Sequence, residues 1–155
     1  MRVGIISGYF NPIHTGHLDY IEGAKQRCDL LYVIVNSDRQ VDIKGSKQFM
    51  DEASRLRIVR ALAYVNKAMV SIDNDSTVCR SIKSIYKQYC DDPFVSDIYF
   101  MNGGDRGQGT VPEAEVCEEL DIKMIYNVGG TKTESSSTLL QKVANANVGI
   151  QSNSR

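Results

Sequence analysis

The sequence has little net charge, few histidines, no long apolar run and no closely spaced cysteines. Its net charge of −1 provides no overall basic field, so we expect no nucleic-acid partner and only a local site for any polyanion. The short apolar stretch before Ser7 predicts neither a secretory leader nor a membrane partner. The cysteines lie far apart without CxxC spacing, which predicts buried free thiols in a reducing compartment and therefore a cytoplasmic protein.

Apolar runs rich in β-branched residues alternate with segments of helical period along the chain. The predicted strands are Arg2–Ser7, Leu30–Asn36, Ala68–Ile72, Asp97–Met101 and Lys123–Tyr126. The predicted helices are Gly16–Cys28, Glu52–Tyr64, Thr77–Tyr89, Pro112–Leu120 and Ser136–Ala146. This order predicts a single α/β domain over residues 1–150, a Rossmann-like, doubly wound, parallel five-stranded sheet, followed by a frayed tail at 151–155.

Both histidines lie in one segment, Gly8–His17, directly after the first predicted strand. The start of a helix favours anions, because its backbone N–H groups and dipole are positive there. Gly8 allows a tight turn, and the imidazoles of His14 and His17 can donate to phosphate oxygens as charge develops. A zinc hydrolase would need a third ligand from Cys, Asp or Glu. A dinucleotide-dependent oxidoreductase would need a Gly-x-Gly-x-x-Gly spacing, which Gly4 and Gly8 do not provide.

Three further polar segments follow predicted strands, at the edge where open parallel sheets bind ligands. Asn36–Asp38 is followed by Lys44, Asn102–Arg106 contains two glycines and an acid, and Gly129–Thr138 contains Lys132 and several hydroxyl groups. Lysine cations suit phosphate charge, and hydroxyls at a helix start add donors to phosphate oxygens. The four segments together predict a site for a phosphorylated ligand.

The residues Gly8-Tyr9-Phe10-Asn11-Pro12-Ile13-His14-Thr15-Gly16-His17 match the motif Gly-x-Phe-(Asp/Asn)-x-x-His-x-Gly-His. On this motif the chain resembles, over nearly its whole length, the cytidylyltransferase-like nucleotidyltransferase superfamily. Lys132–Thr138 resembles a second motif of that superfamily, and Val35–Asp38 with Lys44 and Arg55 is similar to its heptose-phosphate adenylyltransferase branch. The resemblance implies an enzyme that joins a nucleoside triphosphate to a phosphorylated small molecule by direct in-line attack on the α-phosphate, releasing pyrophosphate.

The same resemblance implies a role for individual residues. His14, His17 and Lys44 would be catalytic. The residues implied to bind the nucleotide are Gly8, Tyr9, Phe10, Asn11, Gly104, Asp105, Lys132, Ser136, Ser137 and Thr138. Acceptor binding is implied for Asp38, Lys44 and Arg55, and a surface role for Arg55 stays open because its helix face is otherwise predicted to be solvated. Mg²⁺ is the implied cofactor, held by phosphates and water without a protein ligand.

Two departures from the family pattern bear on the substrate. Asn11 stands where cytidylyltransferases carry Asp and is more like nicotinate-mononucleotide adenylyltransferases, while Lys132 stands in place of an Arg. The compact chain, close in size to the glycerol-phosphate cytidylyltransferases, favours CTP slightly over ATP, with a small phosphorylated alcohol or sugar as acceptor. The alternatives are adenylyl transfer to a sugar phosphate or mononucleotide, and a non-catalytic nucleotide-binding regulatory module. The resemblance also implies a homo-oligomer.

Overall fold

The computed structural model describes residues 1–103 and 111–130, which form a parallel sheet flanked by helices. The strands are β1 Arg2–Gly8, β2 Leu30–Val35, β3 Lys67–Val70, β4 Asp97–Gly103 and β5 Lys123–Val128. The helices are α1 Thr15–Lys25, α2 Asp38–Lys44, α3 Glu52–Arg60, α4 Cys79–Tyr89 and α5 Ala114–Glu119. All four strand pairs are parallel, in the order β3-β2-β1-β4-β5, which confirms the predicted Rossmann-like architecture.

The strand order places a crevice at the carboxyl end of β1. The chain moves outward from β1 through β2 to β3, and then returns to pair β4 with the other side of β1. The order therefore reverses between β1 and β4, and open α/β sheets bind their ligands outside the carboxyl ends of strands at such a reversal. The residues that follow β1 and β4 are thus the ones that the topology favours for a site.

Apolar residues cover both faces of the sheet. In β1, Val3 and Ile5 pack on one face with residues of α4 and α5, whereas Ile6 packs on the other face with residues of α1 and α3. Successive side chains of a strand point to opposite faces, so each face receives its own core. β2 is buried from Leu31 to Val35, as expected for a central strand covered on both sides.

The sequence pattern does not predict α2, and it places several element ends differently. α2 buries only Gln40 and Val41, so its seven residues show no apolar stripe. Its boundaries nevertheless carry local signals, because Ser37 and Gln40 form a capping box and Gly45 ends the helix with a φ of 79°. The α3 helix ends four residues before the predicted Tyr64. The predicted helix at 136–146 and the tail lie outside the described residues.

A buried carboxylate at the end of β3 caps α4, whose own N-cap residue provides no side-chain cap. The Asp73 carboxylate accepts from the backbone N–H groups of Arg80 at 2.7 Å and Ser81 at 2.9 Å, and from the Ser81 hydroxyl at 2.7 Å. The first N–H groups of a helix have no partner within the helix, so this carboxylate satisfies two of them. It thereby fixes the start of α4 against the carboxyl edge of the sheet.

The four cysteines are free, as predicted, but they are not all buried. Cys28 and Cys117 are buried, and burial raises the pKa of the Cys117 thiol to about 12. Cys90 is exposed because it is the C-cap of α4 and follows the last buried residue of that helix, Tyr89. Within the two described stretches, no helix has both the length and the apolar character needed to cross a membrane.

Candidate active site

The turn from β1 to α1 combines a strained phenylalanine with a glycine. Phe10 has a φ of 50°, in the left-handed region that large residues rarely adopt, and it is 1% exposed. Its ring lies against Gly8, where a Cβ atom would be only 2.7 Å from the ring carbon Cζ. Burial of the ring offsets a backbone cost of about 1–3 kcal/mol, and the glycine leaves room for it. The sequence predicts the glycine turn but not the strain at Phe10.

His14 and His17 form a reciprocal cap at the start of α1. The Nδ1 atom of His14 accepts from the backbone N–H of Gly16 at 3.1 Å, and the Nδ1 atom of His17 accepts from the backbone N–H of His14 at 3.1 Å. A ring nitrogen that accepts a hydrogen bond carries no proton, so each neutral imidazole has its proton on Nε2. The cap therefore selects the tautomer in which Nε2–H can donate to an anion.

Aromatic packing restrains both imidazole rings. The centroids of the two rings are 3.9 Å apart with planes inclined by 30°, and the ring of Phe10 contacts His17 edge-on at 5.0 Å. Both histidines are half-buried, so packing orients the rings without removing them from the surface. Two oriented N–H donors at the positive end of a helix suit the oxygens of a phosphate group.

Lys44 lies at the C-terminal end of α2 and reaches the same turn. Its Nζ atom is 4.3 Å from the centroid of the Tyr9 ring, which is the geometry of a cation–π contact. The structure therefore brings the lysine and the Gly8–His17 segment together, as the shared sheet edge predicts. The catalytic roles implied for His14, His17 and Lys44 stay predictions.

Arg55 is buried and does not lie on a solvated helix face. It is 1% exposed, and it precedes Val59, the other buried residue of α3, by four positions, which places both on one side of the helix. The expectation of a solvated face is therefore wrong. The charged residues around Arg55 in the sequence suggest exposure, whereas the fold turns this one arginine inward.

The guanidinium of Arg55 joins the carboxyl ends of β1 and β2 to α3. It donates to the carbonyl oxygens of Tyr9 at 2.8 Å, Asn36 at 2.6 Å and Met50 at 3.0 Å. It also forms an ion pair with Asp38 at 2.9 Å. A buried charge requires such partners, so these contacts assign Arg55 a structural function beneath the turn. The acceptor contacts implied for Arg55 and Asp38 stay predictions.

The Asn11 side chain binds the segment that connects α2 to α3. Its Nδ2 atom donates to the carbonyl oxygen of Lys47 at 2.8 Å. Its Oδ1 atom accepts from the backbone N–H groups of Phe49 at 2.9 Å and Met50 at 3.3 Å. Both ends of the amide are therefore engaged by the protein, and the nucleotide contact implied for Asn11 stays a prediction.

Tyr20 sets the end of β4 against α1, and the sequence pattern does not indicate it. The register between β4 and β5 shifts between Met101 and Gly103, and the Tyr20 hydroxyl donates to the Met101 carbonyl oxygen at 2.6 Å. The Tyr20 ring lies against Gly103, where a Cβ atom would be 2.8 Å from the ring carbon Cδ1. A strand irregularity of this kind leaves no periodic signal in the sequence. Gly103, by contrast, can be recognised in the sequence as a glycine that closely follows a predicted strand.

Six of the predicted nucleotide-binding residues lie outside the described part of the chain, namely Gly104, Asp105, Lys132, Ser136, Ser137 and Thr138. Over residues 1–103 and 111–130, no group of three His, Cys, Asp or Glu side chains comes together in a way that could hold a metal ion. The Nδ1 atoms of His14 and His17 are engaged by backbone N–H groups. Contacts with the backbone therefore orient both imidazoles through Nδ1.

A comparison with known protein families decides the assignment. The family model described as cytidylyltransferase-like matches residues 5–142. This range begins within β1, at Ile5, and includes β2 to β5. The chain belongs to the cytidylyltransferase-like family. This confirms the resemblance carried by the Gly8–His17 segment.

Relatives of this family member include two differently named proteins. The chain is 32% identical over 120 residues to the bifunctional protein HldE of Bradyrhizobium sp. (strain ORS 278), an alignment that covers 76% of the chain and 22% of HldE. It is 37% identical over 75 residues to the FAD synthase of Ferroglobus placidus, covering 48% of the chain and 49% of the synthase. The aligned part of the chain thus spans less than a quarter of that HldE protein and about half of that synthase.

A solved structure shares the fold of this family member. The lipopolysaccharide core biosynthesis protein from Thermoplasma volcanium GSS1 superposes with a TM-score of 0.63, covering 86% of this chain and 98% of that one. The two sequences are 22% identical, so the likeness supports the architecture and leaves chemistry to the site residues.

Proposed function

We propose that the protein is a nucleotidyltransferase that joins a nucleoside triphosphate to a small phosphorylated alcohol or sugar and releases pyrophosphate. The observation that carries this proposal is the pair of Nε2–H imidazoles of His14 and His17 at the positive end of α1. Backbone contacts select their tautomer, so the donors are in place before a substrate arrives. Membership of the cytidylyltransferase-like family supports the same class of reaction.

The reaction requires positioning and charge stabilisation. The acceptor phosphate is ionised at neutral pH and attacks the α-phosphorus in line with the departing pyrophosphate. The bond from an acceptor oxygen to the α-phosphorus forms while the bond to the bridging oxygen of the β-phosphate breaks. His14 and His17 donate to the α-phosphate oxygens as charge spreads over them, and Lys44 offsets charge on the triphosphate or on the acceptor. No covalent enzyme intermediate forms.

Mg²⁺ fits this site as a companion of the triphosphate. The side-chain oxygen of Asn11 already accepts from two backbone N–H groups, which makes it a poor metal ligand. We therefore propose that phosphate oxygens and water hold the ion, which supplies neutralisation of phosphate charge. Lys132 and the Ser136–Thr138 hydroxyls are proposed to contact the same phosphates, as the second family motif implies.

For the nucleotide donor we propose ATP ahead of CTP. One relative is named FAD synthase, and FAD contains an adenylyl group, which supports adenylyl transfer. CTP, which the resemblance to the glycerol-phosphate cytidylyltransferases favours, is the second candidate, and its preference stays a prediction. The proposed homo-oligomer and cytoplasmic location also stay predictions, and sedimentation tests the first.

A turnover screen tests the proposal. Pyrophosphate release is measured with Mg²⁺ and each of the four nucleoside triphosphates against phosphorylated alcohols, sugars and mononucleotides. We expect product with one triphosphate, and no product when His17→Ala replaces the wild type. The circular dichroism spectrum of His17→Ala should match that of the wild type. Binding of a nucleotide in a thermal shift assay, without pyrophosphate from any pair, would instead support the regulatory module.

A further inference from the structure

The loop between α2 and α3, residues 45–50, is nearly all on the surface. Gly45 to Phe49 are exposed and Met50 is half-buried, so burial contributes little to its conformation. Ordering such a segment costs conformational entropy that specific hydrogen bonds must offset. The bonds that hold this loop are therefore the features that determine where its side chains lie.

Both ends of the loop are tied to neighbouring elements. At the first end, the backbone N–H groups of Gly45 and Ser46 donate to carbonyl oxygens of α2 at 3.0 and 3.2 Å. At the second end, the Met50 carbonyl oxygen accepts from Arg55, whose guanidinium also binds the Tyr9 carbonyl oxygen. The loop is thus anchored to α2 at its start and to the β1–α1 turn at its finish.

The side chain of Asn11 contacts the middle of the loop. The Asn11 amide contacts the backbone of Lys47, Phe49 and Met50, through one donated and two accepted hydrogen bonds of 2.8, 2.9 and 3.3 Å. A carboxylate could accept the same two N–H groups, but it could not donate to the Lys47 carbonyl oxygen. The asparagine therefore makes one contact that an aspartate, the residue of the cytidylyltransferases, could not make, and it adds no negative charge.

One lysine directly precedes the loop and another lies within it. Lys44 directly precedes the loop and lies over the Tyr9 ring at 4.3 Å, on the turn that continues into His14. Lys47 belongs to the loop, and its Nζ atom is 5.8 Å from the centroid of the exposed Phe49 ring. The conformation of this loop thus sets the place of Lys47 relative to the β1–α1 turn, whereas Lys44 is placed by α2.

We infer that Asn11 is a positioning residue: its amide holds the α2–α3 loop so that Lys47, together with Lys44 at the end of α2, meets the phosphate groups of the substrates. The identity of the ligand in this inference rests on the proposed function, whereas the contacts between Asn11 and the loop do not depend on it. It assigns Asn11 an indirect role in place of a direct contact with the nucleotide. It also assigns Lys47 to phosphate binding, which the family motifs in the sequence do not indicate.

The test compares Asn11→Ala and Asn11→Asp with the wild type. The first readout is hydrogen exchange of the Phe49 and Met50 amides, which needs no substrate. We expect Asn11→Ala to speed exchange at both amides about tenfold, and Asn11→Asp to leave both protected, because its carboxylate still accepts from them. Gln48→Ala changes an exposed side chain of the same loop and should leave exchange as in the wild type.

The second readout is binding. We expect Asn11→Ala to weaken calorimetric binding of inorganic pyrophosphate about tenfold, the size of one charge-assisted hydrogen bond, and to raise KM more than it lowers kcat. Lys47→Ala should weaken binding of the same probe without changing exchange at Phe49 and Met50. Unchanged exchange in Asn11→Ala, or faster exchange with unchanged pyrophosphate binding, would overturn the inference. If no acceptor gives turnover but both readouts shift as expected, the proposed reaction fails and the positioning role stands.

Discussion

α1 and α2 begin with the same hydrogen-bonding device, built from different residues. In α2, the Ser37 hydroxyl accepts from the Gln40 N–H at 3.2 Å, and the Gln40 side chain accepts from the Ser37 N–H at 3.0 Å. In α1, His14 and His17 occupy the equivalent N-cap and N3 positions. Serine and glutamine are usual at these positions, whereas a pair of histidines is not. The difference therefore lies in what each pair does with its remaining polar atoms.

The remaining atoms of the α2 pair stabilise the protein itself. Gln40 is fully buried, and its Nε2 atom donates to the carbonyl oxygens of Asp75 and Thr77, both at 2.8 Å. The α1 pair uses only Nδ1 atoms for its cap, so the cap does not consume the Nε2–H donors. The α2 pair thus provides tertiary hydrogen bonds, and the α1 pair is proposed to provide oriented donors to an anion. An unusual pair of residues in an ordinary capping motif is what points to that proposal.

The largest effect is expected when the α1 box is converted into the α2 type. The double substitution His14→Ser with His17→Gln retains a Ser-x-x-Gln capping box and removes both imidazoles. Turnover should fall by at least about 10²–10³-fold, because the proposed donors to the reacting phosphate are lost. The free energy of unfolding should stay within about 1 kcal/mol of the wild-type value. Pyrophosphate release and urea unfolding measure the two quantities, and near-wild-type turnover would contradict the proposed role.

The converse change in α2 should affect stability. Gln40→Leu removes the donor to the Asp75 and Thr77 carbonyl oxygens and leaves the buried Asn36 amide and Ser37 N–H without their acceptor. It should lower the free energy of unfolding by about 2–4 kcal/mol. The measurement is urea denaturation followed by circular dichroism, with the α1 double variant as the matched comparison. A loss below about 1 kcal/mol would mean that the Gln40 hydrogen bonds contribute little to the free energy of unfolding.

A smaller effect is expected at the other end of α2, where Lys44 meets Tyr9. Tyr9→Leu removes the aromatic face beneath the Lys44 ammonium and should raise KM about two- to fivefold, since exposed cation–π contacts are weak. Tyr9→Phe keeps the aromatic face and should retain the wild-type KM. Equal effects of the two substitutions would assign the role to the Tyr9 hydroxyl instead of the ring. Steady-state kinetics of both variants distinguishes these results.

The smallest effect concerns α3, which begins with an ordinary acidic cap. The Asp51 carboxylate accepts from the Ser54 N–H at 2.8 Å, and this hydrogen bond holds the pKa of Asp51 below its usual value of 3.8. A lowered pKa stabilises the fold above pH 3.8, and this stabilisation is lost as the pH falls through the folded-state pKa. Asp51→Ala should therefore lower Tm slightly at pH 7. The difference from the wild type should close below pH 3.8, and Asp51→Asn, which retains a capping side chain without a carboxylate, should lack this pH dependence.

Much of the fold is predictable because its signals are local. Strand residues alternate with helical stripes, and all five predicted strands are present with ends shifted by at most two residues. The helix that the pattern misses, α2, is too short and too polar to show a stripe, although Ser37 and Gly45 mark its ends. Sequence periodicity detects apolar stripes, so a seven-residue helix whose one buried apolar residue is Val41 escapes it.

The candidate site is predictable only in part. The Gly8–His17 motif locates the imidazoles and the glycine turn, and the shared sheet edge predicts the approach of Lys44. The motif does not reveal that Arg55 is buried, because an arginine in a helix that also carries Arg57 and Arg60 is expected to be exposed. It also does not reveal the partners of Asn11, since they belong to another loop. Such contacts depend on packing between elements.

The amino-acid sequence by itself determined the alternation of strands and helices, the parallel sheet and the family, because these follow from interactions between near neighbours and from one compact motif. Only the tertiary structure decided that Arg55 supports the turn from below and that Asn11 holds the α2–α3 loop. Arg55 and Tyr9 are 46 residues apart, and Asn11 and Lys47 are 36 apart. Hydrogen bonds over such separations exist only once the helices have packed on the sheet, so no local pattern encodes them.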